Sequence, residues 1–289
     1  MDCLCWPRLS APLEPGGHRI GREDEQHSGV IDRGMPSASL PAVDTVIRVG
    51  VLTPHEVAGP EPEFAAMVPG RLATRVARVT GTEDPGGSGG PTSPADLAAL
   101  AAAPFPDRAA QQLLTGPVDV IGYASTTSAY AIGSEAEVAM VSRLSQLTGL
   151  AVAATCASAV HALGVLEVER VALVGAPWFD PEWNELGADY FASQGFDVVS
   201  SASAELSQDP RAIEPAAVCE WTSRHVEDAA EAVFIGGNGF RAAGAVQALE
   251  AAIERPVLTS NQVLLWQLLA YADDTFEING YGRLFDRQP

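Results

Sequence analysis

Two stretches of this chain repeat one pattern, and that pattern leaves few folds open. Val118–Gly133 is a run of β-branched and apolar residues that stops at Ser125-Thr126-Thr127-Ser128, with a helical pattern opening near Ser134. Glu231–Arg241 repeats it as an apolar strand, the small polar turn Gly236-Gly237-Asn238-Gly239, and an amphipathic helix to about Ile253. A turn of this kind at the carboxyl end of a buried strand is where an open α/β sheet places its site. Short hydroxyls and free amide N–H groups at a helix start suit a carboxylate or phosphate.

The rest of the chain fits the same architecture. Apolar runs at Val46–Leu52, Leu72–Val79, Leu150–Ala154, Arg170–Gly175, Phe196–Ser200 and Val257–Thr259 predict strands. They alternate with helical patterns at 62–67, 95–102, 107–114, 134–147, 159–166, 181–194, 215–225 and 261–271. Strand–helix alternation at these lengths means right-handed βαβ units and parallel sheets. Residues 118–166 and 232–271 read as an internal repeat, with Thr155-Cys156-Ala157-Ser158 answering Thr259-Ser260-Asn261. The prediction is an α/β fold of two pseudo-symmetric lobes, the site between them. The lobes are placed at about 45–150 plus the C-terminal tail and at 151–265. Residues 1–44 lack periodicity and are expected to be a disordered extension, with Met35 an alternative start. Thr80–Pro94 reads as a flexible loop or lid.

Composition narrows the chemistry. With 37 acidic and 17 basic residues the formal net charge is -20, which argues against nucleic acid and anionic membranes as partners. Every basic residue is arginine; the absence of lysine excludes Schiff-base chemistry and a Walker A phosphate site. Cys3, Cys5, Cys156 and Cys219 have neither disulfide-framework nor zinc spacing, so no metal is expected. No apolar stretch is long enough to span a membrane and no signal peptide opens the chain, which predicts a cytoplasmic protein. Gly237-x-Gly239-x-x-Ala242 fits a dinucleotide fingerprint, but no acid for a ribose ends the next strand. Ser125 lies in no G-x-S-x-G elbow. Of the histidines, His55 sits just past the first strand, at the same sheet edge as Ser125, and is the one placed in the site. His161 and His225 fall in helices and read as structural, as does Cys156. Trp178, past the 170–175 strand, is a pocket-wall candidate.

Gly50–Pro54, Ala124–Ser128, Thr155–Ala159, Gly236–Gly239 and the tail Gly280–Phe285 occur in an order that resembles the maleate cis-trans isomerase and arylmalonate decarboxylase branch of the aspartate/glutamate racemase superfamily. The resemblance covers about residues 46–286. It implies flavodoxin-like lobes, a cofactor-free site between them, and a small carboxylate or dicarboxylate ligand. It also implies a pair of cysteines, one after a central strand of each lobe, on opposite faces of the reacting carbon. Here those positions hold Ser125 and Gly237, so the usual proton carriers are gone. The carried-over site is Ser125 or His55 for proton handling, with Pro54, Thr126, Thr127, Trp178, Gly237, Asn238 and Gly239 around the substrate. The expected function is a cofactor-independent isomerase or decarboxylase; the alternative is a silent carboxylate-binding relative. The substrate and a homo-oligomeric state are left open.

Overall fold

The strands segregate into two parallel four-stranded sheets, each feeding its helices in chain order. The computed structural model describes residues 46–81, 93–273 and 277–287. In the first half, β1 (Ile47–Thr53), α1 (Pro60–Met67), β2 (Leu72–Arg78), α2 (Pro94–Ala101), α3 (Phe105–Leu113), β3 (Val120–Tyr123), α4 (Thr126–Thr148) and β4 (Ala151–Ala154) form a sheet of order β2-β1-β3-β4. In the second half, α5 (Thr155–Val165), β5 (Arg170–Gly175), α6 (Pro181–Ser193), β6 (Asp197–Ser203), α7 (Pro215–His225), β7 (Ala232–Ile235), α8 (Val246–Ile253), β8 (Val257–Thr259) and α9 (Ser260–Tyr271) give the order β6-β5-β7-β8. Both sheets reverse strand order beside their first strand, so each has its crevice at the carboxyl ends of β1/β3 and β5/β7.

The two sheets exchange helices. α5 leaves the first sheet, yet Ala159, Ala162 and Leu163 pack with Val171, Phe234 and Leu258 of the second. α9 leaves the second, yet Leu264, Leu265 and Leu268 pack with Val49, Val51, Val120 and Ala153 of the first. Burying these aliphatic faces at ~25 cal/mol per Å² cements the halves into one body. β4 pairs with β3, so the division between sheets falls after Ala154 and not at residue 150. In the tail, Ile278 packs with the first core and Leu284 with the other.

Two predicted helix starts are corrected. α4 begins at Thr126, with Ser125 as N-cap accepting from the Ser128 amide at 3.1 Å. Its helical path breaks at Gly133, φ 77°, and only the second segment carries the apolar periodicity that predicted a start at Ser134. After β7 the chain makes two 3-10 turns, at Asn238–Phe240 and Ala243–Ala245, before α8 begins at Val246. The Gly237 turn therefore opens no α-helix, which removes the pyrophosphate position of a dinucleotide fingerprint. Residues 1–45 and most of the predicted lid, 82–92, lie outside the described residues. No described helix is long and apolar enough to cross a membrane.

Candidate active site

Strand register sets the two turns in equivalent places. Leu52 pairs with Tyr123 and Val174 with Ile235. One residue further on, the Ala124 amide donates to Leu52 O at 2.7 Å and the Gly236 amide to Val174 O at 2.8 Å. Ser125 thus corresponds to Gly237, Thr126 to Asn238, and His55 to Pro177. The turns then cross-link reciprocally. The Thr126 amide donates to Asn238 Oδ1 at 3.1 Å, and the Gly237 amide donates to Thr126 Oγ1 at 3.1 Å. Asn238 Nδ2 reaches Thr155 Oγ1 at 3.2 Å, while Thr126 Oγ1 lies 3.0 Å from Ser260 Oγ, its mirror contact.

Beside this cross-link lies a cavity of about 310 Å³. His55, Glu56 and Val57 line it from the segment after β1, and Thr126 and Thr127 from the start of α4. Trp178, Phe179, Gln208, Pro210 and the turn Gly237-Asn238-Gly239 line it from the second half. Trp178 is held edge-on to the buried Phe240, ring centroids 6.1 Å apart.

Seven of the nine expected site residues line this cavity. Pro54 and Ser125 do not; both are buried beneath it, Ser125 with 1% exposure. Ser125 instead stands one contact behind the wall, its Oγ 2.9 Å from His55 Nε2. Its Oγ also accepts the Ser128 N–H, so the hydroxyl bridges the start of α4 and the imidazole. Burial, and secondly the nearby Arg78 charge, push the His55 pKa down to about 4. The ring is therefore neutral at neutral pH.

The Thr126 hydroxyl is fully committed. It lies 3.2 Å from Asn238 Oδ1 and 3.0 Å from Ser260 Oγ and accepts from the Gly237 N–H, so its three partners hold the turns together. Thr127 differs: its buried Oγ1 has no partner among the described residues. Its amide belongs to the first turn of α4, where a helix cannot satisfy it internally. Free amides at a helix start are the kind of group that can hold an anion.

Gly237 has φ 103°, a conformation that disfavours any side chain, and a Cβ there would stand 3.0 Å from Ala176 Cβ. The second-lobe face thus offers backbone and no acid or base. Cys156 lies in the first turn of α5, its thiol donating to Thr126 O at 3.7 Å. Burial, then the Glu137 carboxylate, raise its pKa well above the usual thiol range. Neither described free cysteine, Cys156 or Cys219, lines the cavity. No group of three or more His, Cys, Asp or Glu is arranged for a metal among the described residues.

Sequence reasoning missed the lining residues Glu56, Val57, Phe179, Gln208 and Pro210, the last two in a loop without periodicity. It also missed Glu63, whose carboxylate supports the Asn238 turn from α1. The signal for Glu63 was an acid amid the apolar helix residues Phe64 and Met67, with no basic partner in α1.

Three comparisons with known proteins bear on this site. The arylmalonate decarboxylase family profile matches residues 107–285. A maleate isomerase of Pseudomonas putida is 34% identical over 172 residues, which cover 58% of this chain and 63% of that relative. The match thus spans less than two thirds of that relative's length. Among solved structures, a Pseudomonas putida maleate isomerase with maleate superposes with a TM-score of 0.71 at 22% identity, over 83% of this chain and 98% of its own. Unliganded arylmalonate decarboxylase gives 0.69 at 21%, over 83% and 99%. A Nocardia farcinica maleate cis-trans isomerase with a covalently bound succinylcysteine intermediate gives 0.70 at 22%, over 83% and 98%. At these identities the structural likeness speaks for the fold.

Proposed function

This chain belongs to the arylmalonate decarboxylase family, and on that premise we propose that it decarboxylates a small dicarboxylate bearing an apolar substituent, without a cofactor. The observation that carries the reading is the one-sided wall: His55 backed by Ser125 on one face, and Gly237 with no acid or base on the other. Decarboxylation needs one proton donor. The C–C bond to the leaving carboxyl breaks, its electron pair passes into the retained carboxylate as an enediolate, and one proton is added to the α-carbon. The His55–Ser125 pair delivers that proton and recovers it from water. The Thr127 hydroxyl and amide and the Asn238-Gly239 backbone hold the retained carboxylate, where charge develops. Val57, Trp178 and Phe179 receive the substituent.

Isomerisation is the poorer fit. The Nocardia relative carries a succinylcysteine, and no described thiol of this chain lines the cavity. A second reading, carboxylate binding without turnover, draws on the burial of Ser125 and the low basicity of His55.

The test is incubation with methyl(phenyl)malonate in D2O, following CO2 and the configuration of the product. One enantiomer carrying one deuterium is expected. His55→Phe should lower kcat about 10²-fold or more with KM little changed, the range for a lost acid–base group. Calorimetric binding without CO2 release would establish the silent reading. Maleate turnover that outpaces malonate turnover would overturn decarboxylation.

A further inference from the structure

One buried carboxylate outside the cavity is wired into it. Glu63, on α1, is 8% exposed. Its Oε1 accepts the Ala243 amide at 2.7 Å, and its Oε2 accepts from Asn261 Nδ2 at 2.7 Å. The same Asn261 nitrogen donates to Asn238 O at 2.8 Å, and Asn261 Oδ1 accepts from Asn238 Nδ2 at 2.9 Å. Asn238 Oδ1 then accepts from the Thr126 amide and hydroxyl.

Every polarity in this chain is forced. The Asn261 nitrogen faces two acceptors, so it must be the nitrogen. Asn238 Oδ1 faces an amide N–H, so it must be the oxygen. A proton on Glu63 Oε2 would confront the Asn261 NH2. Asn261 could answer only by turning its oxygen to Glu63, which sets its nitrogen against Asn238 Nδ2. Asn238 would turn in its place, and Thr126 and Gly237 would lose the geometry that closes the cavity floor. We propose that Glu63 is a positioning residue for the carboxylate-binding turn, acting through the side-chain amides of Asn261 and Asn238, and that the turn is assembled only while Glu63 is an anion. This rests on the reading of the Asn238 turn as a carboxylate cradle.

The group is able to switch in the working range. Burial pushes the Glu63 pKa up to about 7, against the Asn261 and Ala243 hydrogen bonds and the more distant Arg241 charge. Few charges face it. Arg241 comes from the loop before α8, and Tyr281 from the tail, its own pKa raised by burial and by Glu63. Glu61, on the same helix, is paired with Arg78 on β2. Two readouts then move in opposite directions. Global stability falls as pH rises through about 7, because a buried carboxylate must ionise. Order in the turn increases over the same interval.

The experiment is a nitrogen-15 NMR titration of the ligand-free full chain from pH 5.5 to 8.5. The Asn261 and Asn238 side-chain amides and the Gly237 amide should titrate with one midpoint, shared with the Glu63 carboxyl carbon. In Glu63→Gln, whose single oxygen cannot serve both donors, they should not titrate. If that variant fails to fold, Asn261→Ser cuts the relay one residue on and should leave Asn238 and Gly237 insensitive to pH. Titration of Glu63 while Asn238 and Gly237 stay still would overturn the proposal. A binding arm uses phenylmalonate by calorimetry: its affinity should weaken about tenfold or more below the midpoint, a loss in the range of one unmade buried hydrogen bond. No phenylmalonate binding at any pH, with the NMR relay intact, would refute the carboxylate reading and leave the relay standing.

Discussion

Replacing Thr126 by valine should separate the role of its hydroxyl from every other property of the position. Valine keeps the volume and the β-branch, and the residue is 1% exposed, so solvent cannot re-pair what is lost. Three hydrogen bonds converge on Oγ1: with Asn238 Oδ1 at 3.2 Å, with Ser260 Oγ at 3.0 Å and from the Gly237 amide at 3.1 Å. A net contribution of about 1 kcal/mol each, plus part of the cost of stranding the Gly237 N–H, gives a loss of roughly 3–4 kcal/mol. The methyl group that replaces Oγ returns some of this through burial, leaving about 2–3 kcal/mol. At roughly 2–4 °C per kcal/mol for a chain this large, Tm should drop by about 4–12 °C. Urea unfolding with an unchanged m-value is the cleaner assay. Thr126→Ser keeps the oxygen and should recover most of the loss. A valine variant within about 0.5 kcal/mol of wild type would refute the cross-link between the turns as a source of stability.

Gly59→Ala should also damage the site, because the new Cβ would stand 2.5 Å from Asn238 O; a loss of about 1–3 kcal/mol is expected in thermal or urea unfolding, and an unchanged Tm would contradict the packing of α1 on that turn. Gly237→Cys should cost stability for a second reason, its φ of 103°, so a Ser125→Cys/Gly237→Cys pair is expected to melt lower than Ser125→Cys alone. Glu137 is buried against the hydroxyl of Tyr190, and burial pushes its pKa up to about 7. Its folded pKa lies above its unfolded value, so the stability it lends is complete below about pH 4.5 and is lost as pH rises through 7, at a slope approaching ~1.4 kcal/mol per pH unit. Unfolding free energy should fall between about pH 4.5 and 7 and level off above 7, and a rise across that interval would contradict the assignment.

Legibility in the sequence followed periodicity. The six strands β1, β3, β4, β5, β7 and β8 were readable as apolar runs because they are largely buried, while the edge strands β2 and β6 are only partly covered and carry a weaker pattern. The turn residues were readable because small polar residues cut those runs short. Helix starts were harder. The first two turns of α4, Thr126 to Ile132, are largely buried, so they show no amphipathic stripe and the boundary was set about two turns late. The break after β4 failed for a related reason: strands pair by contacts distant in sequence, and nothing local at residue 150 says which sheet the next strand joins. Thr126 and Thr127 are adjacent and chemically alike, yet one hydroxyl is spent across the turns and the other is buried without a partner among the described residues. Only the orientation of each side chain distinguishes them.

The exchange of α5 and α9 explains why the two faces of the cavity could diverge. Each helix follows the last strand of one sheet and packs on the other, so the core is shared and neither half stands alone. The reciprocal pairs follow from that exchange: Cys156 against Thr126 O mirrors Asn261 against Asn238 O. At the second position the mirror side chain is an amide that also reaches Glu63, whereas the Cys156 thiol donates to Thr126 O and it is the Cys156 backbone that bonds Glu137. The equivalent pair Ser125 and Gly237 diverges in the opposite sense, with the hydroxyl and its histidine on the first face and bare backbone on the second. The Gly237 face is thus backed by a carboxylate that fixes its amides, and the Ser125 face by an imidazole that can exchange a proton. A symmetric scaffold carries a site whose halves hold and protonate separately, and substitutions at Glu63 should alter KM while those at His55 alter kcat.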